Sequence, residues 1–256
     1  MIADGAVAGQ VATGQRACRL AGYACMTRWL LTAFLVAAGC TGTLDSDLDE
    51  GGDGGVGSDS GSGSAMPDPA ECHAWLTAHD VGFTAGPSAP GIEDPVTATL
   101  PFAGLAFRSG GAARTSMFAD CALVKSLVLA APIIKGYGFV EVTDLGVYNY
   151  RCINNAGTPP NCTSGLSEHS FGNAIDLASF KRADGTSAVV KTDWVIDPAD
   201  DTCEAATVAG PDRVLHEMIC ALKAANVWNI VLTPNYNALH RDHFHADLTD
   251  GSDFIE

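Results

Sequence analysis

Positive charge is scarce in this sequence. Its 256 residues include 14 Lys and Arg against 30 Asp and Glu, which gives a formal net charge of −16 at pH 7. Between positions 29 and 107 there is no Lys or Arg at all. This balance argues against electrostatic attraction to a nucleic-acid backbone or to anionic lipid. We therefore expect no nucleic-acid partner.

Long apolar runs and closely spaced cysteine pairs are also missing. The apolar segment at residues 26–40 is too short and too weakly flanked to be a membrane-spanning helix. None of the nine cysteines forms a CxxC pair, which argues against a zinc ribbon. Hydrophobic residues nevertheless make up 47% of the chain. A substantial core is therefore possible, in one large domain or two small ones.

Residues 26–40 resemble a bacterial lipoprotein signal peptide. Arg28 precedes an apolar run of the length typical of a signal-peptide core, and the run ends in Ala-Ala-Gly-Cys. On this interpretation the peptide is cut before Cys40, whose sulfur carries a lipid. The alternative is a plain secretory signal with an incidental Cys40, since Ala37 stands where such sites usually have Leu. Residues 1–25 show no clear pattern and are interpreted as an upstream over-assignment of the start site.

The segment at residues 41–71 is predicted to be a flexible acidic linker. It is rich in Gly, Ser and Asp and has almost no apolar residues, so it cannot bury enough surface to fold. The folded domain is then predicted to span residues 72–256. We expect an exported monomer in the periplasm or at the outer membrane, attached to the membrane only through its lipid anchor.

Six cysteines fall in the predicted domain, and an even number in an exported protein indicates disulfides. In a reducing compartment the same residues would be read as buried thiols or metal ligands. Cys152–Cys162 is the best-supported pair because it encloses a short loop rich in Pro, Gly and Asn. Cys72–Cys121 and Cys203–Cys220 are the pairs that remain, although the sequence does not determine this connectivity.

Helical and strand patterns come in mixed order along the domain. Helices are predicted from apolar periodicity and from Asp or Pro at their starts, and strands from alternation and β-branched residues. Pro132 is expected to limit the regular part of the first helix. The fold class is therefore α+β, an antiparallel sheet with flanking helices. The predicted helices are 119–138 and 211–226, and the predicted strands are 139–152 (two strands around a turn at 144–146), 173–180 with a hairpin at 184–185, 228–233 and 241–248.

His169 and Asp176 stand seven positions apart in the run LSEHSFGNAIDLASF. On one helix they would be about 10.5 Å apart along the axis, and on one strand they would point to opposite faces. Two ligands of one zinc ion must each come within about 2.0–2.2 Å of it. The chain must therefore turn between them, and Gly172–Asn173 supplies suitable residues. The following strand is predicted to place four residues on one face: Ala174, Asp176, Ala178 and Phe180.

A second histidine cluster lies in HRDHFH, at residues 240–245. If residues 241–248 form a strand, His243, His245 and Asp247 share one face. Each histidine by itself is better interpreted as a surface or core residue. Three in six positions, together with His169 and Asp176, favour a metal site. The run HEMIC only begins like an HExxH zinc motif, so we expect His216 to be a helix surface residue.

These two runs closely resemble the bacterial extensin-like C-terminal domain. More loosely, they resemble the SxHxxGxAxD and HxH motifs of zinc D-Ala-D-Ala carboxypeptidases and related murein endopeptidases, whose fold is shared with the Hedgehog signalling domain. The likeness is strong only over about residues 148–180 and 228–248. It implies a zinc ion held by His169, Asp176 and His245.

The resemblance also implies roles for the surrounding residues. His243 would sit beside the metal as a catalytic or oxyanion-stabilising group, with Asp242 as the other candidate for proton transfer or as a partner of a ligand imidazole. His240 would line the site. Arg151 would polarise the substrate carbonyl, and Ser167 would join it in binding substrate. The chain departs from the family pattern beside Arg151, where it reads YNYRC and not YxCR.

The function implied is zinc-dependent hydrolysis of peptidoglycan stem peptides. Two neutral imidazoles and one carboxylate leave zinc positively charged, with an open position for water. Two rival hypotheses remain at this point. The domain could hold zinc and bind wall peptides without cutting them, or it could be a purely structural exported domain stabilised by disulfides.

Overall fold

A computed structural model describes residues 68–199, 201–204 and 206–256. The secondary structure is mixed α+β, as predicted. The helices are α1 Pro69–Ala78, α2 Cys121–Gly136, α3 Val190–Asp193 and α4 Pro211–Ala224. The strands are β1 Phe83–Ala85, β2 Pro95–Thr99, β3 Ala106–Ser109, β4 Ala112–Ala113, β5 Ser116–Asp120, β6 Phe139–Gly146, β7 Gly157–Thr158, β8 Asn161–Cys162, β9 Ala174–Arg182, β10 Ser187–Val189, β11 Ile230–Leu232, β12 Phe244–Asp247 and β13 Phe254–Ile255.

The two predicted long helices are confirmed as α2 and α4. Asp120 caps α2, where its carboxylate accepts a hydrogen bond from the backbone N–H of Ala122 at 2.9 Å. Pro211 starts α4 at a position where the missing N–H costs nothing. The expectation that Pro132 limits the regular part of α2 is wrong, because the α-helix continues past it to Gly136. Most of α2 is buried, and this packing offsets the backbone bond that the proline removes.

An eight-stranded sheet forms the centre of the fold. Its order is β13-β11-β12-β9-β6-β3-β4, with β10 paired to β9. Most neighbours are antiparallel, whereas β3 pairs with β6 and β11 with β13 in parallel. A separate three-stranded sheet has the order β1-β2-β5. Among the described residues, no helix has the length and apolar character needed to cross a membrane.

The two faces of β9 and β12 have different characters. Ile175 and Leu177 stand opposite Ala246 and Phe244, and all four belong to the hydrophobic core that α2 and α4 share. The residues between them point to the other face. Asp176 pairs directly with His245 there. One face of the sheet therefore packs against the helices, and the other carries polar side chains.

A register shift between β6 and β9 changes the side-chain alternation. Thr143 pairs with Ser179, but the next residue, Asp144, pairs with Leu177. One extra residue on β9 reverses the faces beyond it. Phe180 is consequently fully buried in the core with Leu177. The prediction that Phe180 shares the face of Asp176 is therefore wrong.

The second strand predicted within residues 139–152 is absent. Strand β6 ends at Gly146, and Cys152 makes only an isolated bridge with Leu166. The backbone of this stretch bonds to the segment around His169. Asn149 donates its N–H to the carbonyl of His169, and Arg151 donates its N–H to the hydroxyl of Ser170. These bonds take the place of the hydrogen bonds that a second strand would have formed.

The three predicted disulfides are present: Cys72–Cys121, Cys152–Cys162 and Cys203–Cys220. Asp94 lies close to the first pair. These two cysteines are joined to each other, so their sulfurs are not available as thiolate ligands.

His216 is not a surface residue, contrary to the prediction from HEMIC. It is 5% exposed, and its ring stacks on Trp194 with the ring centroids 3.7 Å apart. Its Nδ1 donates to the carbonyl of Thr202, and its Nε2 lies 3.5 Å from Asp212. His216 therefore lies on the buried side of α4 and contacts the loop that precedes this helix.

Candidate metal centre

His169 is placed by a short 3-10 helix, Glu168–Phe171, just before β9. Gly172 ends this helix in the left-handed conformation, with φ of 67°. The N–H of Asn173 then bonds to the carbonyl of Glu168. The chain therefore reverses at Gly172–Asn173, as expected, and His169 comes back over the start of β9.

Gly172 is needed for steric as well as conformational reasons. A Cβ at this position would lie 2.8 Å from the backbone nitrogen of Asp120 and 2.9 Å from Ile92. That same nitrogen donates a hydrogen bond to the carbonyl of Gly172. A side chain here would therefore push the turn away from β5 and α2.

We predict that Gly172→Val lowers both stability and zinc affinity. The left-handed backbone alone costs about 1–3 kcal/mol for a β-branched residue, and the clash adds to this. Denaturant unfolding and a zinc titration would measure the two effects. Gly185→Val is the matched control, because Gly185 has φ of +88° but nothing within 4 Å of its Cβ position. The control should lose stability and keep its zinc affinity. Equal zinc affinities in the two variants would contradict the role given to the turn.

Asp176 and His245 meet across the sheet. They are direct partners on β9 and β12, and Oδ1 of Asp176 lies 2.9 Å from Nδ1 of His245. The same oxygen lies 3.2 Å from Nε2 of His169. The ligand atoms of all three residues fall within 4.8 Å of one another. The structure thus brings together the three residues that the sequence motifs suggested.

This donor set fits a divalent transition metal. Two imidazoles and one carboxylate form a common three-residue set at zinc sites that keep an open position. Two ligand atoms at about 2.0–2.2 Å from one tetrahedral ion are about 3.3–3.6 Å apart. The distances from Asp176 to the two histidines, 3.2 and 2.9 Å, are slightly shorter than this. A small outward movement of the side chains would accommodate an ion.

The orientation of His169 is set by the backbone. Its Nδ1 lies 2.7 Å from the carbonyl oxygen of Val147, and the side chain is 3% exposed. A carbonyl can only accept, so Nδ1 carries the hydrogen. Nε2, the nitrogen near Asp176, is the one that can offer a lone pair to a metal.

The charges of Asp176 and His245 stabilise each other. Burial by itself lowers the pKa of His245, but its contacts with Asp176 and Asp247 outweigh this and raise the pKa to about 9. Burial likewise favours the neutral form of Asp176, but its contacts with His169 and His245 hold its pKa well below the ordinary value. A metal that binds at neutral pH must therefore displace a proton from His245.

We predict that the metal-free protein loses stability as the pH rises from 6.5 to 9. The pKa of folded His245 is about 9 against an ordinary 6.5. Its contribution is therefore fully present below pH 6.5 and disappears as the pH passes through 9. Thermal unfolding of chelator-treated protein across this range would measure the effect. The His245→Gln variant should show a flatter profile, and an unchanged slope in that variant would assign the effect to another group.

His243 approaches the same carboxylate from just outside β12. The predicted strand at 241–248 is shorter than expected and begins at Phe244. Nε2 of His243 nevertheless lies 3.4 Å from Oδ1 of Asp176. Its Nδ1 is 2.9 Å from a carboxylate oxygen of Asp242. Asp242 therefore contacts His243, and the alternative in which it holds a ligand imidazole is not what the structure shows.

His240 lies beside these rings as a neutral imidazole. Its centroid is 5.3 Å from that of His243 and 5.8 Å from that of His245. Burial, together with the electrostatic effect of these two neighbours, lowers its pKa to about 4. Its Nδ1 lies 2.9 Å from the side-chain oxygen of Asn237. This contact leaves Nε2 of His240 as an acceptor.

A cleft of about 590 Å³ opens beside these residues. Asp176, His240, His243 and His245 line it, as do Arg151 and Ser167. Ser167 donates its backbone N–H to the carbonyl of Arg151, which keeps these two residues side by side. In the part of the chain that the structure describes, no acid forms an ion pair with Arg151. The cleft thus contains the candidate catalytic and substrate-binding residues except Asp242, which contacts His243 at its Nδ1.

Two cleft residues, Glu168 and Asp247, were not assigned site roles from the sequence. Burial and the negative charge of Asp247 raise the pKa of Glu168. Asp247 is 3% exposed and contacts His245. The alternation His243-x-His245-x-Asp247 places Asp247 on the correct face, so its role could have been inferred. No pattern in the sequence singles out Glu168.

Comparison with known proteins supplies a family. Residues 71–254 match the family model described as Extensin-like protein C-terminus. The chain belongs to this family. No curated protein and no solved structure matches it. The match includes every residue of the candidate centre in this extensin-like domain.

Proposed function

We propose that this extensin-like domain is a zinc-dependent peptidase that cleaves peptidoglycan stem peptides in the cell envelope. The observation that supports the proposal best is the convergence of His169, Asp176 and His245 within 4.8 Å, beside a cleft that also contains His243 and Arg151. The resemblance to zinc D-Ala-D-Ala carboxypeptidases and murein endopeptidases supports the substrate class. The antiparallel strands that carry the centre are compatible with the Hedgehog-type fold of those enzymes. We propose that this domain has that fold.

His169, Asp176 and His245 would hold the zinc ion. The chemistry that zinc supplies in such a donor set is Lewis acidity and activation of water near neutral pH. In peptide hydrolysis, water adds to the carbonyl carbon, the C–N bond breaks, and a proton passes to the leaving amine. The remaining residues have to bind the peptide, stabilise the carbonyl oxygen as it gains charge, and carry this proton.

His243 is the best-placed group for proton transfer. Its Nδ1 is held by Asp242, so its Nε2 faces Asp176 and the cleft. A histidine held in this way can accept a proton from the attacking water and return it to the leaving amine. His240, with its low pKa, stays neutral beside it.

Arg151 would polarise the scissile carbonyl. Arg151 has no acidic partner among the described residues, and it lines the cleft next to Ser167. A fixed positive charge near a carbonyl oxygen that becomes negative lowers the reaction barrier. Ser167 would add a hydrogen bond to the bound peptide.

The test is muropeptide release from purified sacculi. The disulfide-intact domain is incubated with sacculi, with and without prior chelation, and the soluble products are identified by mass spectrometry. We expect new peptide termini that disappear after chelation and return with zinc. A protein that binds zinc and sacculi but releases nothing would be a wall-binding module. A protein that binds neither would be a structural domain.

We also propose that a lipid on Cys40 anchors the enzyme in the envelope, and that the residues between Cys40 and α1 serve as a tether. Cys40 and residues 41–67 lie outside the described residues, whereas residues 69–71 of the predicted linker already belong to α1. A tether of this length would let the domain reach nearby cell wall. Mass spectrometry of the mature N-terminal peptide should find a lipidated Cys40. Recovery of an unmodified N-terminus at another position would reject the anchor without affecting the peptidase proposal.

A further inference from the structure

The imidazole of His245 has a carboxylate at each of its two nitrogens. Oδ1 of Asp176 lies 2.9 Å from Nδ1, and Oδ2 of Asp247 lies 3.0 Å from Nε2. A metal ligand can use only one ring nitrogen for one ion. The two acids therefore cannot play the same part at this centre.

Asp176 is on the side of the metal cluster. Its Oδ1 faces His169 and His245 at once, and these are the three residues whose ligand atoms converge. Asp247 contacts the other nitrogen of His245, Nε2, and does not contact Nδ1. Of the basic side chains that the structure describes, His245 is the one in contact with this acid.

Asp247 is itself held in place. It is 3% exposed, and its other oxygen, Oδ1, accepts the backbone N–H of Thr249 at 2.8 Å. Its strand partners are Ala174 on β9 and Ile230 on β11, which offer no competing polar group. A buried carboxylate in this position has one oxygen fixed by the backbone and the other aimed at His245.

We propose that Asp247 is a positioning residue of the metal centre: it accepts the Nε2–H of His245 and so keeps the lone pair of Nδ1 directed at the metal. This inference rests on the proposed metal site. A carboxylate behind a ligand imidazole fixes its tautomer and its ring orientation and increases its basicity.

The two histidine ligands are then oriented by different means. The carbonyl of Val147 holds Nδ1–H of His169, so His169 presents Nε2. Asp247 holds Nε2–H of His245, so His245 presents Nδ1. The first partner is backbone and cannot be removed by substitution. The second is a side chain, and this makes the proposal testable.

The experiment compares zinc affinity in Asp247→Ala, Asp247→Asn and Asp242→Ala by chelator competition on disulfide-intact protein. We expect a loss of about 10–100-fold for Asp247→Ala, and a smaller loss for Asp247→Asn, which retains an oxygen acceptor without the charge. Asp242→Ala is the matched control, because Asp242 contacts a histidine at a similar distance, 2.9 Å, but that histidine is not a proposed ligand. Its zinc affinity should stay within a few-fold of wild type.

A second readout separates positioning from a general structural effect. In the zinc-loaded wild-type protein, the imidazole region of a ¹H–¹⁵N spectrum should contain a protected Nε2–H of His245, and Asp247→Ala should lose that protection. Detection of Nδ1–H on zinc-bound His245, or equal zinc affinity in Asp247→Ala and wild type, would overturn the inference. If wild-type protein binds no zinc, the proposed function fails first.

Discussion

Alanine at His169, Asp176 or His245 should remove bound zinc and peptide hydrolysis together. Each of these side chains supplies one of three converging ligand atoms. The two ligands that remain in each variant are too few to hold the zinc ion. The loss of affinity should exceed about 100-fold, the upper range for removing an outer hydrogen-bond partner of a ligand. Zinc content by elemental analysis and muropeptide release would be measured on the same preparations.

The controls for this prediction concern folding. All three residues are at least partly buried, so each variant needs an unfolding curve and a count of intact disulfides. His79→Ala provides a matched histidine control, because His79 is an exposed residue at the end of α1. It should retain both zinc and activity. Folded variants of the three ligands that keep full zinc content would show that the centre is elsewhere.

Alanine at His243 should have the opposite combination of effects, with most of the zinc retained and the rate reduced by about 10²–10⁴-fold. The physical reason is its position. Nε2 of His243 lies 3.4 Å from Asp176, farther away than either ligand histidine, while Asp242 holds the ring from behind. The turnover number on sacculi or on a stem peptide, measured at saturating zinc, gives the size of the effect.

Asp242→Ala helps to separate the two possible reasons for such a loss. If His243 transfers a proton, removal of its orienting carboxylate should reduce the rate less than removal of the imidazole does. The exposed carboxylate of Asp242 could act by itself only if Asp242→Ala were the more damaging change. If His243→Ala loses zinc as completely as His245→Ala, His243 is a ligand and the proposed division of roles is wrong.

Local features of the fold were predictable because they depend on residues a few positions apart. An Asp before an apolar stretch begins α2, and Gly172–Asn173 reverses the chain after His169. The short loop between Cys152 and Cys162 closes as a disulfide. The predictions that failed depend on contacts between segments that are far apart in the sequence. Residues 147–152 alternate like a strand, but their polar backbone groups bond to the segment around His169.

Side-chain direction was the least predictable property. Simple alternation places Phe180 on the face of Asp176, but one extra residue of β9 in its pairing with β6 puts Phe180 in the core. The sequence pattern places His216 on a helix surface, but packing against Trp194 buries it. Neither error could be corrected from the sequence, because the burial of each side chain depends on how the neighbouring helices and strands pack around it.

By itself the sequence determined which residues could form the centre: two histidine-containing motifs, a turn between His169 and Asp176, and helices and strands to carry them. Only the tertiary structure decided how they meet. Asp176 and His245 are 69 positions apart, and their contact depends on the register of β9 against β12. The same register sets Asp247 behind His245, while the turn before β12 brings His243 to Asp176. A one-residue slip would turn His245 toward the helices, so the chemistry of the centre depends on the packing of the opposite face.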